Sequence, residues 1–336
     1  MIFNIRLPIE ISLCAISVET NSKKVAELCK SYFFQFLSSI SHCNWHVCSR
    51  LMTESDFSAT RNKFAIGVRR DILIYPGTPA ILFDDTGDGK SIFIPPSTFI
   101  HRNANAIDIF GCDVNELALR TYTSVRAVME ESLFSSGFSI IHASCVNING
   151  RGVIFTGDKG AGKTTFLLSL LESGTTFVGN DRLFVRFDGT DMNIIPRPSL
   201  TRIGMGTALN ISRLSGIVPK KYRDLDFDQL VAIKEKFEFP NFPALFGYPY
   251  TNITTLNYIV SCSLSKTQSE IREKDCRWGV RILQKNQLED FPGLLTWKYL
   301  FDGNFIPPLL VNEENLRDIK CLELLGVPSN ELLRYF

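Results

Sequence analysis

At 336 residues, with 36 basic against 35 acidic side chains, the chain is long enough for about two domains and a sizeable core. Its balanced charge argues against a protein built for nucleic acid or a membrane surface. No apolar run reaches the roughly 18 residues of a spanning helix, Met1 to Leu13 contains Arg6 and Glu10 and lacks a small-residue cleavage site, and nine scattered cysteines, an odd number, fit reduced thiols in a cytoplasm.

Residues 1–112 read as a mixed α/β domain for substrate recognition or assembly. Asn21 or Ser22 caps a helix whose Val25, Leu28, Cys29, Tyr32, Phe33, Phe36 and Leu37 form one apolar stripe. His42, Cys43, His46 and Cys48 cluster in sequence, but a zinc site needs a second, converging pair, and none follows; ordinary thiols in a half-exposed aromatic segment are the simpler reading. Short strands are expected at Phe64 to Val68, Ile72 to Tyr75, Ala80 to Phe83 and Ser91 to Ile94, with turns at Pro76-Gly77 and Asp84 to Gly89. The second turn holds Asp84, Asp85 and Asp88 but lacks the spacing and closing Glu of an EF-hand, so it reads as a solvated hairpin turn.

Residues 113–336 read as a second, nucleotide-binding catalytic domain. It opens on a helix over Asp113 to Ser135, capped by Asp113 or Asn115 and ended by Gly137. Phe138 to Ile148 then reads as a strand carrying His142 and Ser144 on one face, Asn149-Gly150 as a two-residue hairpin turn, and Gly152 to Thr156 as the returning strand. The octapeptide that follows, Gly157-Asp158-Lys159-Gly160-Ala161-Gly162-Lys163-Thr164, fits the phosphate-binding pattern G-x-x-x-x-G-K-[ST]. Its glycines permit a turn whose N–H groups point inward at phosphate oxygens. The helix from Thr165 adds the positive end of its dipole, Lys163 supplies an ammonium for the outer phosphates, and the Thr164 hydroxyl is placed for Mg²⁺. The strand entering the loop is thus expected to pair antiparallel with its predecessor, unlike the parallel entry of a simple βαβ unit. Strands at Thr175 to Gly179, Leu183 to Phe187 and Met192 to Ile195 surround Asn180-Asp181-Arg182.

Arg213 to Pro249 mixes charge with Pro240, Pro243 and Pro249 and, among them, Phe239, Phe242, Phe246 and Tyr248, and reads as an irregular excursion, a lid, an acceptor site or a plain insertion. Strands are expected at Thr255 to Ser263 and Trp278 to Leu283, and short helices at Asn312 to Leu325 and Asn330 to Tyr335.

His142-Ala-Ser-Cys-Val, the Asn-Gly turn, the phosphate loop and Gly-Asn-Asp-Arg at 179–182 together resemble the catalytic core of HPr kinase/phosphorylase and its small-molecule and peptide kinase relatives, over about residues 138–210. The resemblance implies an α/β fold with a mixed sheet, the core shared with phosphoenolpyruvate carboxykinase. It implies ATP (or GTP) and Mg²⁺ as cofactors and allows a homo-oligomer, while the balanced charge leaves the expectation of no nucleic-acid or membrane partner. Implied site residues are the loop from Gly157 to Thr165 around the nucleotide, Lys163 on the β- and γ-phosphates, Thr164 and Asp181 on the metal, and His142 near the γ-phosphate. Asp181 either deprotonates an acceptor hydroxyl or ligates the metal, while Arg182 stabilises transferred charge or forms an ion pair. Arg197 and Arg202 are weaker candidates for gripping an anion. Where the family has two consecutive Asp, this chain has Asn180-Asp181, and the family's C-terminal signature is not evident. The expectation is a kinase acting on a hydroxyl of a small molecule, amino acid or peptide. The alternative is an NTPase or nucleotide-gated regulatory or scaffold protein without an acceptor.

Overall fold

The computed structural model describes residues 5–11, 14–39, 42–74, 77–84, 89–264, 270–288, 306–326 and 334–336. The chain divides into two compact units, Met1–Gly137 with Asp290–Ile306, and Phe138–Glu289 with Pro307–Phe336. No helix among the described residues is long and apolar enough to cross a membrane. Both units are mixed α/β, built on mixed sheets.

The first unit runs β1 (Ile5–Ile11), β2 (Cys14–Thr20), α1 (Lys23–Tyr32), β3 (Trp45–Leu51), α2 (Glu54–Phe64), β4 (Val68–Ile74), β5 (Thr78–Asp84), β6 (Gly89–Ile94), β7 (Thr98–Asn103), β8 (Ala106–Gly111) and α3 (Val114–Ser135). Its sheet has the order β1-β2-β3-β8-β7-β6-β5-β4. The β2/β3 and β3/β8 pairs are parallel, and the remaining neighbours antiparallel. Ser22 caps α1 and Asp113 caps α3, each side chain accepting from backbone N–H groups of the first turn. The apolar stripe of α1 buries Val25 and Cys29, continues through Phe33 and Phe36, and leaves Leu37 in solvent.

Two features of this unit differ from the sequence reading. The strand expected over Phe64 to Val68 is the end of α2 followed by a turn. Thr53 caps that helix, accepting from Asp56 N–H, and Phe64 stacks on Phe110 at 5.6 Å, so the strand starts only at Val68. Helix α3, read as the opening of the second domain, packs on α1, β2, β3 and β8. Its buried face carries Leu117, Val125, Val128 and Leu133. Among the described residues no three or more His, Cys, Asp or Glu side chains gather, including around His42 to Cys48. Residues 85–88 of the acidic turn, and most of the helix expected at 330–335, lie outside the described residues.

The second unit runs β9 (Ser139–Ile141), β10 (Ser144–Ile148), β11 (Arg151–Thr156), α4 (Lys163–Glu172), β12 (Thr176–Gly179), β13 (Leu183–Asp188), β14 (Asp191–Pro196), β15 (Thr201–Gly204), α5 (Met205–Asn210), α6 (Ser212–Ser215), α7 (Phe227–Ala232), β16 (Lys236–Phe239), α8 (Phe242–Phe246), β17 (Thr254–Leu264), β18 (Glu270–Lys274), α9 (Cys276–Asn286) and β19 (Lys320–Gly326). Its main sheet is ordered β12-β10-β11-β17-β14-β13-β9, with β19 on β17 and β18 on β19. Strand β11 is antiparallel to β10, as its turn requires: Ile148 faces Arg151, leaving Asn149 and Gly150 as turn residues at φ of +52° and +88°. On its other side β11 runs parallel to β17. Alternation along β11 divides the core, with Val153 and Phe155 facing α4 and Ile154 facing the opposite layer.

Three expectations are corrected here. Trp278 to Leu283 lies in helix α9, capped by Asp275 through Trp278 N–H at 2.7 Å, with Gly279 and Leu283 on its buried side. The second half of the helix expected over Asn312 to Leu325 is instead strand Lys320–Gly326, which completes the sheet parallel to β17. The stretch 213–249 carries regular elements and joins the core through Leu214, Val218, Phe242 and Tyr248. Strand β16 pairs with β15, and fully buried Phe242 meets Phe239, Phe246 and Tyr248 within 5.1 to 5.9 Å between ring centres.

Candidate phosphate site

The loop between β11 and α4 is shaped by positive φ at Gly157 (+134°), Gly160 (+88°) and Gly162 (+93°). Gly157 has a second reason to be glycine, since a Cβ there would stand 2.7 Å from the Cys262 carbonyl oxygen on β17. Gly162 occupies the N-cap of α4 without a side-chain cap, so the first-turn N–H groups are left for an anion. Lys163 is the first residue of that helix and 91% buried. Its Nζ donates to the carbonyls of Gly157 at 2.7 Å and Asp158 at 3.1 Å, folding the side chain across the loop's own backbone. Burial pushes its pKa down. The Lys159 side chain is exposed, and Thr165 shares a hydrogen bond with Thr207 of α5 at 2.8 Å.

The turn after β12 is drawn to this loop by an amide. Asn180, 93% buried, accepts at Oδ1 from the Ser144 hydroxyl at 2.6 Å and the Thr164 hydroxyl at 3.3 Å. One side-chain oxygen therefore ties β10, the first turn of α4 and the 180–182 turn together. Asp181 follows at φ +78°, a backbone state that costs a non-glycine residue about 1 kcal/mol. Its carboxylate lies 3.9 Å from His142 Nδ1 and 3.8 Å from Arg182 Nε.

His142 sits at a break in the strand read as continuous over 138–148. Its N–H donates to the Asn286 carbonyl at 2.8 Å, and β10 resumes at Ser144. Burial, followed by the Lys163 charge, holds its pKa below the ordinary imidazole value despite the nearby Asp181 carboxylate. The ring is therefore neutral at pH 7, and its approach to Asp181 is a polar contact.

The structure thus brings His142, Lys163, Thr164, Asp181 and Arg182 to one rim. Arg197 is buried beside it, its N–H donating to the Arg182 carbonyl at 3.2 Å. Arg202 lies on β15 and pairs with Glu238 of β16 at 2.9 Å. Two residues of the site had no role assigned from the sequence. Ser144 was singled out for its strand face and as part of the His142-Ala-Ser-Cys-Val match, and Lys285 lies two residues beyond the strand expected at Trp278 to Leu283. Lys285 Nζ is 2.9 Å from Asp158 Oδ1, reaching the phosphate loop from the last turn of α9. The signal that could have found it is the Asp275 cap with Cys276, Gly279 and Leu283 at helical spacing.

The oxygen that meets the Thr164 hydroxyl is the Asn180 amide oxygen at 3.3 Å, and the next residue, Asp181, brings the carboxylate of the same turn. Such a hard, sparse set suits Mg²⁺ shared with phosphate oxygens, since that ion commonly keeps only one or two protein ligands beside a nucleotide.

No family model and no curated protein matches this sequence. Among solved structures, the chain is similar to the Hpr(Ser) kinase/phosphatase from Coxiella burnetii, with 14% identity and a TM-score of 0.27, over 58% of this chain and 89% of that one.

Proposed function

We propose that the protein is a Mg²⁺- and NTP-dependent phosphotransferase that moves the γ-phosphoryl group of ATP or GTP to a hydroxyl of a small molecule, amino acid or peptide. The observation that carries this reading is the Thr164–Asn180–Ser144 junction. Through it, a phosphate loop acquires a carboxylate, a neutral imidazole and a guanidinium at one rim. In the transfer, the acceptor oxygen bonds to the γ-phosphorus as the bond from that phosphorus to the β–γ bridging oxygen breaks, and the electron pair leaves with the diphosphate. Asp181 takes the hydroxyl proton. Lys163 turns from its backbone carbonyls to the β- and γ-oxygens, the loop N–H groups hold the α- and β-phosphates, and Arg182 offsets charge on the moving group. Mg²⁺, held by the Thr164 hydroxyl together with the nucleotide, supplies further neutralisation of the phosphate oxygens. His142, uncharged, donates a hydrogen bond to a γ-oxygen.

A second reading, an NTPase or nucleotide-gated regulator, is favoured by one observation. The residue before Asp181 is a neutral amide whose oxygen is already engaged, so a single carboxylate must serve both proton and metal.

Incubation of the pure protein with Mg²⁺-ATP and a host metabolite and peptide extract, followed by mass spectrometry, tests the two. The kinase reading expects a species heavier by one phosphoryl group, lowered about a hundredfold or more by Lys163→Ala or Asp181→Ala. Hydrolysis without any phosphorylated product would move the protein to the second reading.

A further inference from the structure

We infer that Lys285 is a second phosphate-binding cation of this site, held by Asp158 before nucleotide enters and transferred to the terminal phosphate of a nucleoside triphosphate when it binds. The inference rests on the nucleotide reading above.

Three observations meet here. Lys163 Nζ lies against the carbonyls of Gly157 and Asp158, and a phosphate-loop lysine serves the outer phosphates, so residues 157–158 mark that end of the loop. The Asp158 side chain at that end is bonded to Lys285. The next residue of the same helix, Asn286, accepts from His142 N–H at 2.8 Å, and Gln287 bridges to Ile141. The last turn of α9 is thereby fixed to the strand break that carries His142, and its lysine stands on the rim where a γ-phosphate would lie.

The charge arrangement gives the pair a purpose. A carboxylate in a phosphate loop repels polyphosphate, and Lys285 neutralises it; the hydrogen bond from Lys285 holds the Asp158 carboxyl below its ordinary range. Both side chains are well exposed, 62% and 81%, so the ion pair is weakly held and easily exchanged. A phosphate oxygen, carrying more charge than a carboxylate oxygen and flanked by Lys163, is the stronger partner. Diphosphates end short of this position, so the lysine favours triphosphates.

Equilibrium binding of Mg²⁺-ATP and Mg²⁺-ADP to the full chain tests this, using wild type, Lys285→Ala, Lys285→Gln, Lys285→Arg and Asp158→Asn. Lys285→Ala and Lys285→Gln should each weaken ATP by about tenfold or more, ADP by less than about twofold, with Lys285→Arg retaining most of the ATP affinity. Asp158→Asn should bind ATP at least as tightly as wild type, because it releases the lysine. Equal losses for ATP and ADP, no loss for either, or an Asp158→Asn defect matching Lys285→Ala would each overturn the inference and leave the ion pair a brace. Wild-type protein that binds neither nucleotide would instead sink the nucleotide reading itself, and this inference with it.

Discussion

His142 is the residue whose chemistry its surroundings alter most usefully. Burial and the Lys163 ammonium disfavour its protonated form, so the folded state takes up this proton less readily than the unfolded chain. As pH falls through the unfolded histidine value near ~6.5, the unfolded state gains the proton first and the native state loses stability relative to it; above that window the residue contributes no slope. Thermal unfolding of wild type between pH 7.5 and 5 should therefore show an acid-side decline that His142→Gln reduces, with the two proteins converging near pH 7.5. Parallel curves would mean that His142 titrates alike in both states. The phosphate-loop motif singled out Lys163 and Thr164, and the family resemblance added His142, Asp181 and Arg182. They could not indicate that Asn180 turns inward to hold Ser144 and Thr164, because that depends on β10 and the 180–182 turn meeting across 36 residues of chain.

Elements with local signals were legible: the Asp113 cap of α3, the Asn149-Gly150 turn, and the strand–loop–helix around the phosphate motif. Where packing overrode local preference, the sequence misled. Gly279 lowers the helix propensity of α9, yet a Cβ there would stand 2.4 Å from Cys321 Sγ, so the glycine is what lets the helix lie on β19. In β19, Cys321 faces one core and Leu322 and Leu324 the other, a pattern that makes sense only beside β17. The loop glycines allow a contrast within one element. Gly160→Ala meets open space at φ +88° and should cost about 1 kcal/mol, whereas Gly157→Ala combines φ +134° with the Cys262 carbonyl and should cost about 3 kcal/mol. Urea unfolding of the two variants would reveal it, and similar losses would refute the close approach. In the 213–249 stretch, Phe242→Ala should lose about 3–5 kcal/mol. A change under about 0.5 kcal/mol would return that stretch to an insertion with no share in the core.

For the whole molecule, every residue proposed to touch nucleotide belongs to the second unit. Hydrogen exchange with and without Mg²⁺-ATP should accordingly gain protection over 157–165, 180–182 and the last turn of α9, with residues 14–135 little changed; protection spread evenly over both units would contradict a site so confined. The sequence by itself determined the α/β character, the phosphate loop with its entering hairpin and following helix, and the chemical types available for phosphoryl transfer, because caps, turns and glycine spacing act over a few residues. Only the tertiary structure decided that α3 packs on the first unit's sheet, that β19 and α9 close the second unit, that the aromatic stretch joins its core, and that Asn180 and Lys285 stand at the phosphate loop. Those outcomes depend on which faces meet across distant segments, a matter of burial and long-range pairing that no local pattern encodes.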